Sequence, residues 1–305
     1  MQNVSINRSL LLTGHEGSVY ALERSSSPGK FFSGGSDRIV CEWSLDESVP
    51  PAALVNVGAI IYSIRLVEDK NLLFIGTSSG RLHVIDLTAR KEIRNIAHHA
   101  KGIFDISFSV ETDRLYTGSG DGHFSVWRLS DLTLLNDFRL CQEKVRSIAI
   151  HPSKGEIALA CGDGRIVIAD GDSGKQLRDW KAHETSANAI TFSPSGDRIL
   201  SGGRDAHLNC WDATSGALIR SIPAHNYAIY SISYSPDTRF IATGSRDKTV
   251  KLWDADSLDL LLRIDKEKFD GHRNSVNKLM WIYQPLRLIS TGDDRSVMVW
   301  KSRED

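Results

Sequence analysis

The sequence predicts an all-β fold, a seven-bladed β-propeller made of four-stranded antiparallel blades, and three observations predict it. Trp-Asp pairs recur at a fixed spacing, with Trp211-Asp212 lying 42 residues before Trp253-Asp254. Each unit holds four short runs of alternating apolar residues bounded by Gly, Pro, Ser and Asp, which is the pattern of strands and tight turns. Seven such units cover nearly the whole chain. A period in the forties with four strands per unit is typical of propellers.

The first strand-like run, residues 6–13, has no partner in its own unit. The last unit ends at Trp300, one strand short of four. We therefore expect the N-terminal strand to complete the last blade as its outer strand, because an open ring would leave strand edges and an apolar blade face in water. The seven repeats predict a single propeller domain over residues 1–305, with no linker and no added domain.

In the first blade, the pattern predicts strands over residues 19–22, 30–33 and 39–43, separated by turns that contain Pro28 and Asp37. Later units repeat the same hairpins, and no stretch shows a sustained helical period.

The spacing changes once, between the sixth and seventh units, where the chain carries five extra residues around 265–270. We expect an exposed charged loop there. A lip that contacts a partner is the alternative.

Composition favours a soluble protein without a strong overall field. Lys plus Arg number 37 and Asp plus Glu number 38, so no net charge would attract nucleic acid or an anionic membrane. Residues 1–14 hold only a three-leucine apolar run, which is too short for a signal sequence or a membrane span. The four cysteines have no metal-binding spacing, and we expect reduced thiols in a cytoplasmic protein, with a nuclear location also compatible. They are Cys41, Cys141, Cys161 and Cys210.

Four positions recur together in five units: a histidine, a serine or threonine, an aspartate and a tryptophan. We call each set a tetrad. The tetrads are His15, Ser33, Asp37 and Trp43 in blade one; His99, Thr117, Asp121 and Trp127 in blade three; His183, Ser201, Asp205 and Trp211 in blade five; His225, Thr243, Asp247 and Trp253 in blade six; and His272, Ser290, Asp294 and Trp300 in blade seven. Serine, histidine and aspartate suggest a hydrolase. A catalytic set occurs once per site, however, and this one occurs five times, which favours a structural role.

Blades two and four lack the tetrad. Their residues at these positions are Val57, Ile75, Ser79 and Ile85, and Cys141, Leu159, Asp163 and Ala169. The members change together, mostly to apolar residues, as expected if an incomplete buried polar network costs more than an apolar core. Asp163 keeps the aspartate without a histidine, and we expect it to be a turn residue exposed to water.

The Trp-Asp spacing and the tetrads resemble the WD-repeat (tryptophan-aspartate repeat) propeller family over about residues 6–301. The resemblance implies a hydrogen-bond chain from Asp through His and Ser or Thr to Trp, which ties the strands of a blade together. It also implies closure of the ring by the N-terminal strand, and partner binding at the narrow end of the ring.

In this family, the position five residues after the tetrad histidine faces the narrow end. Here it is occupied by Tyr20, Tyr62, Phe104, Arg146, Asn188, Tyr230 and Asn277. Two neighbouring positions add Lys144, Arg204, Arg246 and Asp293. Such variety at one aligned position is not expected of a core position. Aromatic residues and arginines are enriched at binding hot spots, so these eleven residues are the predicted partner-binding set.

The sequence thus predicts a non-catalytic platform that binds a protein or peptide, and a partner with an acidic or phosphorylated segment would suit the basic residues. A propeller that binds nucleic acid or a phospho-ligand through Lys144, Arg146, Arg204 and Arg246 is the alternative, which the neutral net charge disfavours. Enzyme activity is disfavoured because only Asp293 of these positions is acidic and none is histidine. We expect no cofactor, metal or membrane partner, and a monomeric propeller within a larger complex.

Overall fold

The computed structural model describes residues 6–283 and 286–302. Within these ranges the chain forms seven four-stranded sheets, and the architecture is the seven-bladed β-propeller that the repeats predict. Apart from strands, the described residues form a 3₁₀ turn at Glu68–Lys70 and a single helical turn, α1, at Lys266–Phe269.

Each of the first six blades consists of four consecutive strands, and the seventh combines the last three strands with the first. The strands are β1 (Ile6–Leu12), β2 (Val19–Arg24), β3 (Lys30–Gly35), β4 (Ile39–Ser44), β5 (Ala52–Asn56), β6 (Ile61–Val67), β7 (Leu72–Thr77), β8 (Arg81–Asp86), β9 (Lys91–Ala97), β10 (Ile103–Ser109), β11 (Arg114–Ser119), β12 (His123–Arg128), β13 (Leu134–Arg139), β14 (Val145–Ile150), β15 (Glu156–Cys161), β16 (Arg165–Asp170), β17 (Gln176–Lys181), β18 (Ala187–Phe192), β19 (Arg198–Gly203), β20 (His207–Asp212), β21 (Leu218–Pro223), β22 (Ile229–Tyr234), β23 (Phe240–Ser245), β24 (Val250–Asp254), β25 (Leu260–Ile264), β26 (Val276–Ile282), β27 (Arg287–Gly292) and β28 (Val297–Ser302).

The chain divides into two compact units. One contains the described residues of Met1–Leu73, Ile85–Ile93 and Tyr230–Asp305, and the other contains Phe74–Val84 and Arg94–Ile229. The expectation of a single domain over residues 1–305 stays a prediction, and both ends of that range lie outside the described residues.

The N-terminal strand completes the last blade, as the sequence predicts. β1 pairs with β28 in antiparallel register, with Leu12 opposite Val297 and Leu10 opposite Val299. The register shifts by one residue between Arg8 and Leu10. This pairing supplies the outer strand that the last unit lacks in its own sequence, and it closes the ring.

Apolar central strands form the core of each blade, and small residues allow neighbouring blades to pack closely. Gly34 in β3 is an example: a Cβ atom added there would lie 2.8 Å from a methyl group of Ile61 and 2.9 Å from one of Ile64. Gly244 in β23 approaches Val276 of the next blade in the same way. Any larger side chain at these glycines would push the blades apart.

The extra residues between blades six and seven form α1 and are held against the closing strand. Asp265 caps the helical turn by accepting a hydrogen bond from the backbone N–H of Lys268 at 3.0 Å. Arg8 in β1 forms an ion pair with Asp270, with Nη2 and Oδ2 2.7 Å apart. Phe269 packs against the apolar core of this part of the chain. The segment is charged, as expected, but contacts within the chain anchor it.

Candidate functional site

In blade one the tetrad forms a continuous hydrogen-bond chain. Nδ1 of His15 lies 2.6 Å from Oδ2 of Asp37, and its Nε2 lies 2.6 Å from Oγ of Ser33. The indole N–H of Trp43 donates to the same hydroxyl oxygen at 2.6 Å. The carboxylate of Asp37 accepts from Nδ1 of His15, and Nε2 of His15 and the serine hydroxyl share the second hydrogen bond. The chain joins the loop before β2 to the two strands β3 and β4.

Blades five and seven repeat these contacts atom for atom. In blade five, Nδ1 of His183 lies 3.0 Å from Oδ1 of Asp205 and its Nε2 lies 2.8 Å from Oγ of Ser201, which is 2.9 Å from Nε1 of Trp211. In blade seven, His272 lies 2.9 Å from Asp294 and 2.8 Å from Ser290, and Trp300 donates to Ser290 at 2.8 Å. In blade six, the indole of Trp253 donates to Thr243 at 2.9 Å. The side chain of His183 is 0 % exposed, so no substrate can reach this histidine as it would in a hydrolase.

The histidines also determine the ionisation of their aspartates. Burial alone would raise the pKa of Asp205, but the hydrogen bond and the charge of His183 outweigh this effect and lower the pKa to about 2. The same causes, acting through His272, hold the pKa of Asp294 well below its usual range. Both aspartates are therefore ionised acceptors throughout the physiological pH range.

Blade three departs from this arrangement at one contact. His99 keeps its hydrogen bond to Thr117, with Nε2 and Oγ1 2.8 Å apart, but its Nδ1 lies 3.5 Å from Oδ2 of Asp121. That carboxylate oxygen accepts the backbone N–H of Ala100 at 2.8 Å, as Asp37 accepts that of Glu16 in blade one. Without a close carboxylate, burial dominates and lowers the pKa of His99 to about 4.

Acid should therefore destabilise the protein through His99. The pKa of His99 is about 4 in the folded chain, against 6.5 for a histidine side chain exposed to water. Between these pH values the unfolded chain binds a proton that the folded chain does not. Stability from this histidine is complete above pH 6.5 and falls as the pH drops towards 4, by about 3 kcal/mol in total. Chemical denaturation of wild type and His99→Gln across this range measures it.

The His99→Gln variant should lose less stability than wild type between the two pH limits, because glutamine does not titrate. His183→Gln is the comparison, because His183, unlike His99, lies within hydrogen-bond distance of its aspartate. Identical losses in wild type and His99→Gln would show that His99 is not the titrating group.

A second polar group in blade three was missed by the sequence analysis. Nε2 of His98 lies 3.2 Å from Oγ of Ser125 and 3.4 Å from Oδ1 of Asp137. Nδ1 of His123 lies 2.8 Å from Oδ2 of the same aspartate, and Ser125 donates to its Oδ1 at 2.6 Å. The ring of His98 stands edge-on to Trp127, with centroids 4.9 Å apart. The signal in the sequence was the histidine pair His98-His99, because the other four tetrad histidines follow a glycine or an alanine.

Blade four holds a disulfide where the tetrad histidine would stand. Cys141 and Cys161 are bonded, with Cα atoms 5.6 Å apart, which corrects the expectation of four reduced thiols. The remaining cysteines, Cys41 and Cys210, are buried and free. The reason is geometric: in blade five, a Cβ on Gly203, the equivalent of Cys161, would lie 2.2 Å from Nδ1 of His183. The two positions are therefore neighbours in blade five, and also in blade seven, where a Cβ on Gly292 would lie 3.1 Å from Nδ1 of His272.

Asp163 is also placed differently from the expectation of a water-exposed turn residue. Its side chain is 14 % exposed, and Oδ2 accepts hydrogen bonds from Nε and Nη2 of Arg165 at 3.2 and 3.1 Å. The backbone N–H of Gln142 donates to the same oxygen at 3.1 Å. The guanidinium of Arg165, at the start of β16, thus takes over the pairing of the absent histidine. In blade two, Ile75 and Ile85 are fully buried apolar substitutes.

Two of the predicted narrow-end residues form an aromatic pair. The rings of Tyr20 and Tyr62 meet edge to face, with centroids 5.9 Å apart and an interplanar angle of 61°. Both side chains are half-buried. Such a pair presents a rigid apolar surface with phenolic hydroxyls, because edge-to-face rings restrict each other's movement.

Three others form a cluster of two cations on one aromatic ring. Cζ of Arg146 lies 5.0 Å and Nζ of Lys144 lies 5.8 Å from the ring centroid of Phe104. The positive charge of Arg146, and then burial, lower the pKa of Lys144. The ring attracts both cations through its π-face, and the two cations repel each other.

The two asparagines have structural roles that the sequence analysis did not anticipate. Asn188 is 9 % exposed, and its Nδ2 donates to the backbone oxygen of Ile229 in β22 at 3.1 Å. Asn277 makes the equivalent bond to the oxygen of Val19 in β2 at 3.1 Å, and a second to Asp293 at 2.8 Å. Each amide therefore joins its blade to the first strand of the next. This corrects the inference that core packing does not explain these positions.

The remaining predicted residues differ in exposure. Arg204 and Arg246 are exposed, whereas Tyr230 and Asp293 are half-buried. An exposed tyrosine near the start of β22, Tyr227, was not part of the predicted set. Its position two residues after His225 is the signal that could have identified it.

Within residues 6–283 and 286–302, no group of three or more His, Cys, Asp or Glu residues is arranged to hold a metal ion. No helix in the same ranges is long and apolar enough to cross a membrane.

Known proteins resemble this chain over parts of its length. THO complex subunit 3 of Arabidopsis thaliana is 28 % identical over 105 residues, covering 34 % of this chain and 33 % of that protein. Target of rapamycin complex subunit LST8 of Saccharomyces cerevisiae is 23 % identical over 126 residues, covering 41 % of each. Guanine nucleotide-binding protein subunit beta-like protein 1 of Mus musculus is 27 % identical over 123 residues, covering 39 % of this chain and 37 % of that protein. The chain thus spans well under half the length of these relatives.

A solved structure and a protein family match more of the chain. The WD40 β-propeller domain of Doa1 superposes with a TM-score of 0.85 at 18 % identity, covering 98 % of this chain and 97 % of that one. The family WD40, described as WD domain, G-beta repeat, matches residues 7–44, 90–128, 174–212, 216–254 and 265–301, more than half of the chain. With five matched repeats on a seven-bladed propeller, the chain belongs to the WD-repeat family.

Proposed function

We propose that this protein is a non-catalytic interaction platform that binds a peptide or a loop of a protein partner at the narrow end of its propeller. WD-repeat propellers typically act as interaction platforms in multi-subunit assemblies. Two of the similar proteins are complex subunits by name, THO complex subunit 3 and the target of rapamycin complex subunit LST8. These resemblances support the class of function, and the side chains support the surface.

The cluster of Phe104, Lys144 and Arg146 is the observation that carries the proposal. Both cations lie within 6 Å of one aromatic ring and repel each other. A carboxylate or phosphate of a partner would relieve that repulsion, and the planar guanidinium of Arg146 suits bidentate binding of such groups. An acidic or phosphorylated segment of the partner is therefore the ligand chemistry we assign to this cluster.

An apolar anchor of the partner would bind the pair formed by Tyr20 and Tyr62. Their edge-to-face contact fixes both rings, so binding orders few side chains and costs little conformational entropy. Tyrosines with this property dominate many interfaces. We assign Asn188 and Asn277 a smaller share of binding because their amides already join neighbouring blades.

Absence of catalysis is part of the proposal. The side chains of His15, His183 and His272 are at most 1 % exposed, so the histidine, serine and aspartate sets are structural. A monomeric propeller within a larger complex and a cytoplasmic location stay predictions, as does a nuclear alternative.

Removing the narrow-end clusters should abolish partner capture without unfolding the protein. We expect Tyr20→Ala/Tyr62→Ala and Lys144→Glu/Arg146→Glu each to weaken binding at least about tenfold, because hot-spot side chains contribute more than 1 kcal/mol each. Capture from native lysate, with quantitative identification of bound proteins, measures the effect. Arg94→Glu, an exposed charge reversal on β9, is the matched control and should retain the partner.

Equal capture by wild type and both double variants would exclude the narrow end. The outer strands and the segment around α1 would then become the candidates. Binding of single-stranded nucleic acid with a steep salt dependence, lost in Lys144→Glu/Arg146→Glu, would instead favour the nucleic-acid alternative.

A further inference from the structure

Blades three and five differ in the side chains that lie beside their two outer strands, β12 and β13 in blade three and β20 and β21 in blade five. In blade three, β12 and β13 enclose the ring of His98, which contacts Trp127, Ser125 and Asp137. His123 completes the group by bonding the same aspartate. The blade thus fills this place with an imidazole from its own chain.

Two repeats further on, blade five has smaller side chains at the equivalent positions. Ala182 replaces His98, and Ser221 replaces Asp137. The strand register is the same, because Ser125 pairs with Asp137 across β12 and β13 as Asn209 pairs with Ser221 across β20 and β21. A surface cavity of about 590 Å³ lies at this place in blade five. The cavity is lined by Lys181, Ala182, His183, Glu184, Asp205, His207, Asn209 and Ser221, which include the equivalents of His98, His123, Ser125 and Asp137 but not that of Trp127.

Asn209 supplies an independent sign of a missing ligand. The residue is 6 % exposed, and its Nδ2 donates to the backbone oxygen of Ala182 at 2.8 Å. Its Oδ1 is buried and accepts no hydrogen bond from any described residue. A buried acceptor without a donor costs free energy, and proteins rarely leave one unless something binds it.

The other polar groups of the cavity determine what can bind. The ammonium of Lys181 donates to the backbone oxygen of Asp163 at 2.7 Å, and Nδ1 of His207 lies 3.0 Å from the backbone oxygen of Asp205. With Oδ1 of Asn209 and the carboxylates of Glu184 and Asp205, the lining offers several acceptors, and it calls for a ligand with an N–H donor.

Blade six has a third arrangement of side chains at the equivalent positions. Lys251 stands at the position of Asn209, and its Nζ lies 6.0 Å from the ring centroid of Trp253. A nitrogen cation of the chain thus lies near the tetrad tryptophan there, as the imidazole of His98 does in blade three. Blade five has the polar acceptor, Oδ1 of Asn209, and no described residue donates a hydrogen bond to it.

We propose that the cavity of blade five binds an imidazole, the side chain of a histidine on a protein partner, in the place that His98 occupies in blade three. The imidazole N–H donates to Oδ1 of Asn209, and the small side chains of Ala182 and Ser221 make room for the ring. This site is separate from the narrow-end surface, and its test does not depend on that surface.

Titration of the full chain with free imidazole tests the site. At a pH of about 8, free imidazole is mostly neutral. The side-chain amide of Asn209, assigned by its loss in Asn209→Asp, should shift in NMR spectra and saturate. In Ala182→His/Ser221→Asp, which rebuilds the blade-three group, affinity should fall at least about tenfold because the site is filled.

A second variant tests the converse, that removing the imidazole from blade three creates a binding site there. His98→Ala opens the equivalent place in blade three, so amides around Ser125 should begin to shift with imidazole while the Asn209 signal behaves as in wild type. Ala217→His, which adds an exposed histidine to blade five outside the cavity, is the matched control and should bind as wild type does.

Two results would overturn the proposal: no saturable shift at Asn209 in wild type, or the same affinity in the rebuilt variant. If the rebuilt variant fails to fold, Asn209→Leu decides, because it removes the acceptor at similar size. Undiminished imidazole binding in Asn209→Leu would reject the site.

Discussion

Replacing His183 by alanine is expected to lower the free energy of unfolding by about 2–4 kcal/mol, one of the two largest effects we predict. The side chain of Asp205 is only 12 % exposed, so the variant leaves a mostly buried carboxylate without its principal donor. Ser201 also loses the acceptor for its hydroxyl. Chemical denaturation at neutral pH measures the loss.

His207→Ala in the same blade is the matched control. The imidazole of His207 is half-buried and contacts a backbone oxygen, so its loss should cost less than about 1 kcal/mol. His225→Ala in blade six should resemble His183→Ala, because it removes the same tetrad member. Equal small losses in all three variants would show that the tetrads contribute little to stability.

The repeat period was enough to predict the fold. A blade cannot bury its faces alone, so each unit must carry the same apolar strands and turns, and the spacing of Trp43, Trp211 and Trp253 reports that constraint directly. Closure by β1 was predictable for the same reason, since the last unit is one strand short. A packing constraint that applies to every unit produces a repeated sequence pattern, and a single sequence is enough to show it.

Contacts that occur in only one or two blades could not be predicted in this way. The amide of Asn188 is visible in the sequence, but its acceptor, the oxygen of Ile229, is a backbone atom that every residue has. The pairing of Cys141 with Cys161 depends on the closeness of a loop to a strand end. In the repeat alignment, Cys141 corresponds to His183 and Cys161 corresponds to Gly203. Only the structure shows that Gly203 lies beside the histidine, and therefore that the two cysteines are close.

Reducing the bond between Cys141 and Cys161 is expected to lower the free energy of unfolding by about 3 kcal/mol. The sequence separation of 20 residues sets the loop-closure entropy that the bond removes from the unfolded chain. Blade four has no tetrad, and Ala169 stands in place of tryptophan, but the bond joins the loop before β14 covalently to the end of β15. Denaturation with and without a reductant measures the difference.

The double variant Cys141→Ser/Cys161→Ser should unfold as the reduced wild type does, and it should not respond to reductant. Cys210→Ser is the control: this thiol is buried and free, so the variant should keep the full response. A wild type indifferent to reductant would show that the bond does not stabilise blade four. If the predicted loss is found, blade four differs from blades three, five and seven in a testable way, because its stability depends on the redox potential of its surroundings, whereas the lowered pKa values of His99, Asp205 and Asp294 make theirs depend on pH.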